Sequence, residues 1–282
     1  MPALHATISD RFPSLTPGEQ KVGQLVYDNP RQTFMLKSAQ LARLAGVSES
    51  TISRFVKKIG YDNFGAMKED LARQTLESFS TTARLAESTD HLDSSRAMSV
   101  VAQTDAANIS RLTSQVSPEA FDRAVQAMCS ARTIYVLGLR SSYALALYLA
   151  FDLRFILNGV RLLKPGIGDI PEQIMEAGQE DVLVVLSFKR FTRETVSIAE
   201  AMKKRVGRVI GLTSSELSPI AVLSDTVLIC NTDVPSFFES FTAPMSLING
   251  LLASIALTMD QDAFPALSRL ESVLEEFKTY TP

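Results

Sequence analysis

The apolar positions change their period once along the chain, near residue 130. Up to that point they recur at helical spacing. After Thr16-Pro-Gly-Glu19, which reads as a helix start with Thr16 as N-cap, Pro17 at the first helical position and Glu19 closing a capping box, Val22, Leu25 and Val26 form an i, i+3, i+4 stripe that Pro30 ends. The segment SAQLARLAGVSESTISRFVKKIGY, residues 38–61, carries two short helical patterns. Ser38 caps the first, with Leu41, Leu44 and Ala45 facing inward. Gly46 breaks it, Val47 fills the turn and Ser48 caps the second. On that second helix Ile52, Phe55, Val56 and Ile59 share a face. At about 100° per residue Ser50, Arg54 and Lys57 lie opposite, flanked by Thr51, Ser53 and Lys58. Two short helices, a tight glycine turn and a second helix with an apolar back and a hydroxyl-and-cation front describe a helix-turn-helix. An ordinary helical hairpin with a solvated basic face is the alternative.

Residues 77–130 keep the helical period. The Ser/Thr-rich tract ESFSTTARLAESTDHLDSS (77–95) reads as a boundary, 95–116 as a long amphipathic helix, and Pro118 as the start of another reaching Cys129. Beyond residue 130, short apolar, β-branched runs alternate with helical stretches. Strands are predicted at 133–138, 159–164, 181–188, 207–213 and 225–230, with closing helices at about 239–259 and 263–279. The expected architecture is an all-α helix-turn-helix domain (1–76), a segment of linker and dimerisation helices (77–130) and an α/β domain (131–282). The last should be a doubly wound, five-stranded parallel sheet covered on both faces. Such sheets bind ligands at the carboxyl ends of their strands, where helix N-termini present free N–H groups. Two turns there hold hydroxyls: Gly138-Leu-Arg-Ser-Ser142 after the first strand, and Ser187-Phe-Lys-Arg-Phe-Thr192 after the third. Each hydroxyl alone is read as a helix cap; two such turns with cations beside them are read as an anion site.

A formal charge of −3 conceals an asymmetry. Residues 1–75 hold ten Lys/Arg against seven Asp/Glu, while the remainder holds eighteen against twenty-four. Lys37 to Lys58 contains five Lys/Arg and Glu49 as its one acid, a positive patch that suits nucleic acid. Cys129 and Cys230 stand too far apart in sequence for a disulfide framework and are read as buried thiols of a cytoplasmic protein. His5 and His91 are the only histidines and lie in no motif, so neither a metal site nor a cofactor is expected. Phe241 to Met259 runs nineteen residues without a charge. Its Pro244, Asn249 and Gly250, and the lack of a basic anchor, favour a buried helix over a membrane span.

These residues carry a resemblance. The stretch LARLAGVSESTISRFVKKIGYDNFGAMKEDL (41–71), with its GY-x-x-F tail, the Gly-x-x-x-Ser of Gly138 to Ser142, and the Ser-x-x-x-x-Thr-x-Glu frame of Ser187, Thr192 and Glu194, is similar to the RpiR family. Its members are bacterial transcription regulators joining an N-terminal helix-turn-helix to a C-terminal sugar isomerase (SIS) domain. The resemblance spans nearly the whole chain and implies a phosphosugar effector, with Ser142, Ser187 and Thr192 as phosphate contacts and Ser141 beside them. The chain departs from the pattern where Lys189 replaces a serine, and Arg190 and Arg140 replace glycines. Losing glycine restricts the backbone, while Lys and Arg add charge-assisted donors. Lys189 and Arg190 are therefore expected either at the anion, whose bearer would carry a further acidic group, or paired with local acids such as Glu194 and Glu239.

The expected function is a ligand-responsive regulator of a carbohydrate-catabolism operon. It would bind double-stranded operator DNA through Ser38, Ser48, Ser50, Thr51, Ser53, Arg54, Lys57 and Lys58. Such modules dock as dimers, so a homodimer or homotetramer is expected, with no membrane partner. The alternative is a phosphosugar isomerase, although neither turn has a histidine nearby in sequence and only Glu194 and Glu239 offer themselves as bases. No catalytic residue is assigned.

Overall fold

A computed structural model of the chain describes residues 4–33, 36–78, 85, 93–166 and 169–280. Contacts divide it into two units: Met1–Ala97 with Leu217–Val222 and Pro235–Phe237, and Met98–Glu216 with Leu223–Val234 and Phe238–Pro282. Most of the Ser/Thr-rich tract at 77–95 lies outside the described residues.

The first unit is helical: α1 (Leu4–Arg11), a 3-10 turn (Phe12–Ser14), α2 (Pro17–Asp28), α3 (Pro30–Thr33), α4 (Ser38–Ala45), α5 (Glu49–Lys58) and α6 (Phe64–Ser78). The start of α2 is built as its sequence predicts. Pro17 is the first helical residue, and Glu19 Oε2 accepts the Thr16 N–H at 2.8 Å. The same oxygen accepts from Lys58 Nζ at 2.7 Å, so one carboxylate caps α2 and ties down the end of α5. Burial pushes the Glu19 carboxyl up, but Lys58 and the Thr16 donors together outweigh it and hold it at about 2. Gly46 ends α4 in the left-handed region, φ 63°, where glycine carries no steric cost.

Ile52, Phe55, Val56 and Ile59 all enter the core, meeting Val22, Val26, Leu41, Ala42 and Ala45. Two details differ from expectation. Leu44, expected to face inward, is 38% exposed, while Ala42 is buried, as suits a small residue where the helices cross. Positions 42 and 44 flank the line through 41 and 45 symmetrically, about 80° to either side. Periodicity therefore cannot choose between them, and packing selects the smaller residue. Ser38 is the first helical residue of α4 rather than its cap; Lys37 holds the cap position, its N–H donating to Gln40 Oε1 at 2.7 Å.

The second unit contains α7 (Ala97–Gln115), α8 (Pro118–Ser130), β1 (Ile134–Leu137), α9 (Ser142–Ile156), β2 (Val160–Leu162), α10 (Ile170–Ile174), β3 (Val182–Leu186), α11 (Arg193–Lys203), β4 (Arg208–Thr213), β5 (Thr226–Ile229) and α13 (Thr242–Glu276); α12 (Pro219–Leu223) falls between β4 and β5 in the chain. All five strands pair in parallel in the order β2-β1-β3-β4-β5. The order reverses between β1 and β3, and register pairs from Ile134↔Val182 to Leu137↔Val185 bring the ends of these two strands side by side. A Cβ at Gly138 would lie 2.7 Å from the Ser142 carbonyl oxygen and 2.8 Å from Ala146 Cβ, so α9 seats over the first turn only because residue 138 has no side chain.

The core lies between this sheet and α8, α9 and α13. Residues 242–259 are apolar enough to pass for a membrane span, with a mean hydropathy of 1.4. Leu247, Ile248, Leu251 and Ile255 nevertheless pack into the core. The two predicted closing helices are one. α13 continues through Pro265, where a proline removes one backbone hydrogen bond that the turns on either side outlast.

Candidate functional site

Two surfaces hold the side chains that the sequence singles out. On the outer face of α5, Ser50, Ser53, Arg54 and Lys57 are exposed and Thr51 is half-buried. Arg54 lies back along its own helix, Nε donating to the Ser50 carbonyl at 3.3 Å and Nη2 to Thr51 Oγ1 at 3.4 Å. Ser48 is the cap residue of α5, and its Oγ lies 2.8 Å from Ser50 Oγ and 3.0 Å from Thr51 Oγ1. Ser38 is half-buried at the start of α4. Lys58 pairs through its ammonium with Glu19 while its side chain stays 43% exposed. Arg11, which sequence spacing cannot connect to α5, donates through Nη1 to the Lys58 carbonyl and adds a cation at that helix end.

The second surface is the carboxyl end of the sheet at the β1/β3 switch point. Ser142 opens α9 and is 7% exposed; Ser187, directly after β3, is 5% exposed. Neither hydroxyl makes a hydrogen bond to a described side chain or backbone group. Ser141 is exposed beside them. Thr192 is the N-cap of α11, accepting from the Thr195 N–H at 3.3 Å, so the plain capping role holds for this residue. Arg140 and Arg190 occupy the left-handed region, φ 55° and 60°. The backbone that glycine would adopt thus survives both replacements, and the replacement appears as strain of about 1–2 kcal/mol at each site. Both guanidinium groups are exposed and have no hydrogen bond or ion pair among the described residues. Lys189 pairs with Asp233, a partner the sequence reading did not name.

Asp233 opens a network that sequence reasoning missed altogether. Its carbonyl accepts from Asn108 Nδ2 of α7 at 2.8 Å, and Asn108 Oδ1 accepts from Asn231 Nδ2 at 3.3 Å. One turn earlier on α7, Asp105 Oδ2 accepts from Thr242 Oγ1 at 2.8 Å. Among the described residues five side-chain oxygens, Asp105 Oδ1, Asp169 Oδ1, Ser214 Oγ, Thr232 Oγ1 and Glu239 Oε1, are sealed from solvent and accept no hydrogen bond. Ser214 and Thr232 follow β4 and β5, Asp169 lies between β2 and α10, and Asp105 bonds Thr242 at the start of α13. No signal in the sequence marks the contact of Asp105 with Thr242, which are 137 residues apart. Among the described residues no three His, Cys, Asp or Glu side chains gather to hold a metal. Cys230 is buried, which pushes its thiol up to about 12, while Cys129 is only half-buried.

Residues 3–78 match the family model described as a helix-turn-helix domain of the rpiR family, and residues 127–254 match the SIS domain model. The chain belongs to the RpiR family. Relatives of this RpiR-family chain include the HTH-type transcriptional regulator HexR of Pseudomonas aeruginosa, 28% identical across 97% of this chain and 96% of that protein. The HexR of Escherichia coli is 25% identical across 95% and 93%. Among solved structures, the sugar isomerase domain of an RpiR transcription factor from Sphaerobacter thermophilus covers 63% of this chain and 99% of its own, with a TM-score of 0.60 and 27% identity. The Vibrio vulnificus NanR protein, solved with ManNAc-6P, shares the fold over 96% of this chain and 98% of its own, with a TM-score of 0.63 and 18% identity.

Proposed function

We propose that this RpiR-family chain is a cytoplasmic, non-enzymatic transcription regulator in which residues 1–76 bind operator DNA and residues 131–282 sense a phosphorylated sugar or a related anionic metabolite. The observation that carries the reading is the pair of buried, unpartnered serines, Ser142 and Ser187, at adjacent strand ends of the switch point, with the unpaired Arg140 and Arg190 on the same two turns. Hydroxyls, helix N-termini and guanidinium groups are the donors a phosphate needs. The HexR relatives are named as regulators, and NanR carries a phosphosugar on the same fold. Within the proposed site Ser142, Ser187 and Arg190 contact the anion, Ser141 and Thr192 border it, and Lys189 stands on Asp233. Arg54 and Lys57, with the hydroxyls of Ser50 and Ser53, face the DNA.

The assembly is a homodimer or homotetramer. Leu147 and Phe151 of α9 and Leu257, Phe264 and Leu267 of α13 leave an apolar face exposed on the second unit, the kind of surface a second copy covers.

A gel shift with the DNA upstream of the protein's own gene tests the reading. Binding should weaken steeply with salt and respond to hexose 6-phosphates. Arg54→Ala or Lys57→Ala should each lower the salt slope by about one. Absence of a shift at low salt, with and without sugar phosphate, rejects it.

A further inference from the structure

The reading helix α5 is held on α2 by more than apolar packing. A Cβ at Gly23 would lie 3.2 Å from Phe55 Cε2 and one at Gly18 3.4 Å from Thr51 Cγ2, so α2 runs close along α5 on two residues without side chains. Between them in the chain stands Glu19, 2% exposed, whose Oε2 accepts from the Thr16 N–H at 2.8 Å and from Lys58 Nζ at 2.7 Å. Lys58 is the last residue of α5, and its carbonyl, one of the orphan acceptors of a helix end, receives Arg11 Nη1. Thr51 and Lys58 are about two turns apart, so α5 is pinned along the length that carries Ser53, Arg54 and Lys57. Magnitudes decide what becomes of the Lys58 charge. One phosphate contact at about 0.15 M salt strengthens DNA binding by about fivefold. Taking the ammonium from Glu19 would leave a buried carboxylate without its cation, a cost equivalent to about a hundredfold or more. The pair should therefore survive in the complex, although Lys58 is 43% exposed.

We infer that Glu19 is a positioning residue of operator recognition: through Lys58 it fixes the seat of α5 on α2, and it withholds the Lys58 ammonium from the DNA. The inference rests on the reading of residues 1–76 as an operator-binding unit and adds a role for a side chain that touches no nucleic acid. An α5 free to shift would still meet phosphates through Arg54 and Lys57, because phosphate contacts carry no sequence information. Contacts to base edges depend on a fixed helix, so a shift costs discrimination between sequences. Glu19 thus sharpens sequence choice while removing one nonspecific cation.

The test uses full-length protein and two probes, a duplex that the wild-type protein selects from a random pool and a random-sequence duplex of equal length, titrated by fluorescence anisotropy over a salt series. Glu19→Gln keeps an acceptor for the Thr16 N–H and releases Lys58. Its salt slope on the random duplex should steepen by about one, and its preference for the selected duplex should fall about tenfold or more. Lys58→Met in the Glu19→Gln background should return the slope to the wild-type value without restoring the preference, a result that a purely structural loss does not give. Lys58→Met alone should leave the slope unchanged and lower the preference by a similar factor, which tests the inference even where Glu19→Gln fails to fold. Thermal midpoints of all variants, with titrations kept well below them, separate a shifted helix from an unfolded one. Either an unchanged slope or an unchanged preference in folded Glu19→Gln overturns the inference. A slope lowered by about one in Lys58→Met alone overturns it too, because the ammonium then reaches a phosphate in spite of Glu19. Failure of the wild-type protein to select any sequence from the pool overturns the DNA-binding reading, and the inference with it.

Discussion

The two ends of the parallel sheet are made to opposite rules. At the amino end polar groups are closed off. Asp181, 1% exposed at the start of β3, accepts from Arg132 Nε at 3.0 Å and Nη2 at 2.7 Å and from the Gly178 N–H at 2.7 Å. Asp225, before β5, accepts the Val209 N–H at 2.8 Å and pairs with Lys203. At the carboxyl end, Asp105, Asp169, Ser214 and Thr232 keep sealed oxygens without donors, Ser142 and Ser187 are largely buried residues whose hydroxyls have no partner among the described residues, and two arginines stand in a backbone region suited to glycine. One end has its acids paired within the chain, and the other keeps polar groups without a partner among the described residues. That difference supports the proposed effector site more than any single residue does, because helix caps and salt bridges occur at both ends of such sheets.

The largest effects should come from breaking the satisfied end. Asp181→Ala removes the acceptor of a two-pronged guanidinium contact and of a backbone N–H, and should cost about 3 kcal/mol in urea unfolding while leaving phosphosugar affinity unchanged. Acid should act on the same group. Burial pushes the Asp181 carboxyl up, but Arg132 and Gly178 pull it below its ordinary value. A carboxylate depressed in the folded state stabilises the protein above its unfolded pKa of about 3.9 and loses that contribution as pH falls through the folded value. Wild-type stability should therefore decline below about pH 4, and Asp181→Asn should lack that component of the decline. An equal acid dependence in the variant would assign the sensitivity to other carboxylates.

At the open end, Ser142→Ala and Ser187→Ala should behave in the opposite way. Each removes a hydroxyl with no protein partner, so unfolding free energies should move by less than about 0.5 kcal/mol. Titration with a hexose 6-phosphate should show a loss of about tenfold for each, as expected for a donor to a charged group. A stability loss comparable to that of Asp181→Ala would place these serines with the satisfied end and undo the comparison.

How much of this was legible in the sequence follows from what fixes each feature. The helix-turn-helix could be read because its determinants are local: Glu19 closes its own cap, Gly46 supplies its own left-handed turn, and Ile52, Phe55, Val56 and Ile59 repeat at one period. The five strands could be read because buried parallel strands are continuous apolar runs. Ser142 and Ser187 followed from their places after strand ends. The ion pair of Lys58 was not legible, because a lysine opposite the core reads the same whether it only faces solvent or also reaches Glu19, 39 residues away. Asp105 was invisible for a stronger reason. On α7 it is one polar residue among many, and its meaning comes from Thr242, brought to it only by the closure of the second unit.

The finest test of the comparison lies in the arginines, whose strain and charge can be separated. Arg190→Gly relieves a non-glycine residue at φ 60° and should raise stability by about 1 kcal/mol, read as a higher urea midpoint at unchanged slope. Arg190→Ala removes the same guanidinium but keeps a side chain at positive φ, so its stability should stay near wild type. If the guanidinium contacts the anion, both variants lose hexose 6-phosphate affinity by a similar factor of about three to ten, because both lack the cation. If instead the strained turn positions Ser187 and Phe188 and the charge is idle, Arg190→Ala binds as wild type and only the freed backbone of Arg190→Gly weakens the ligand. Equal losses with unequal stabilities would establish that strain is stored at this end of the sheet for the sake of a cation, which the amino end, with its acids already paired, has no use for.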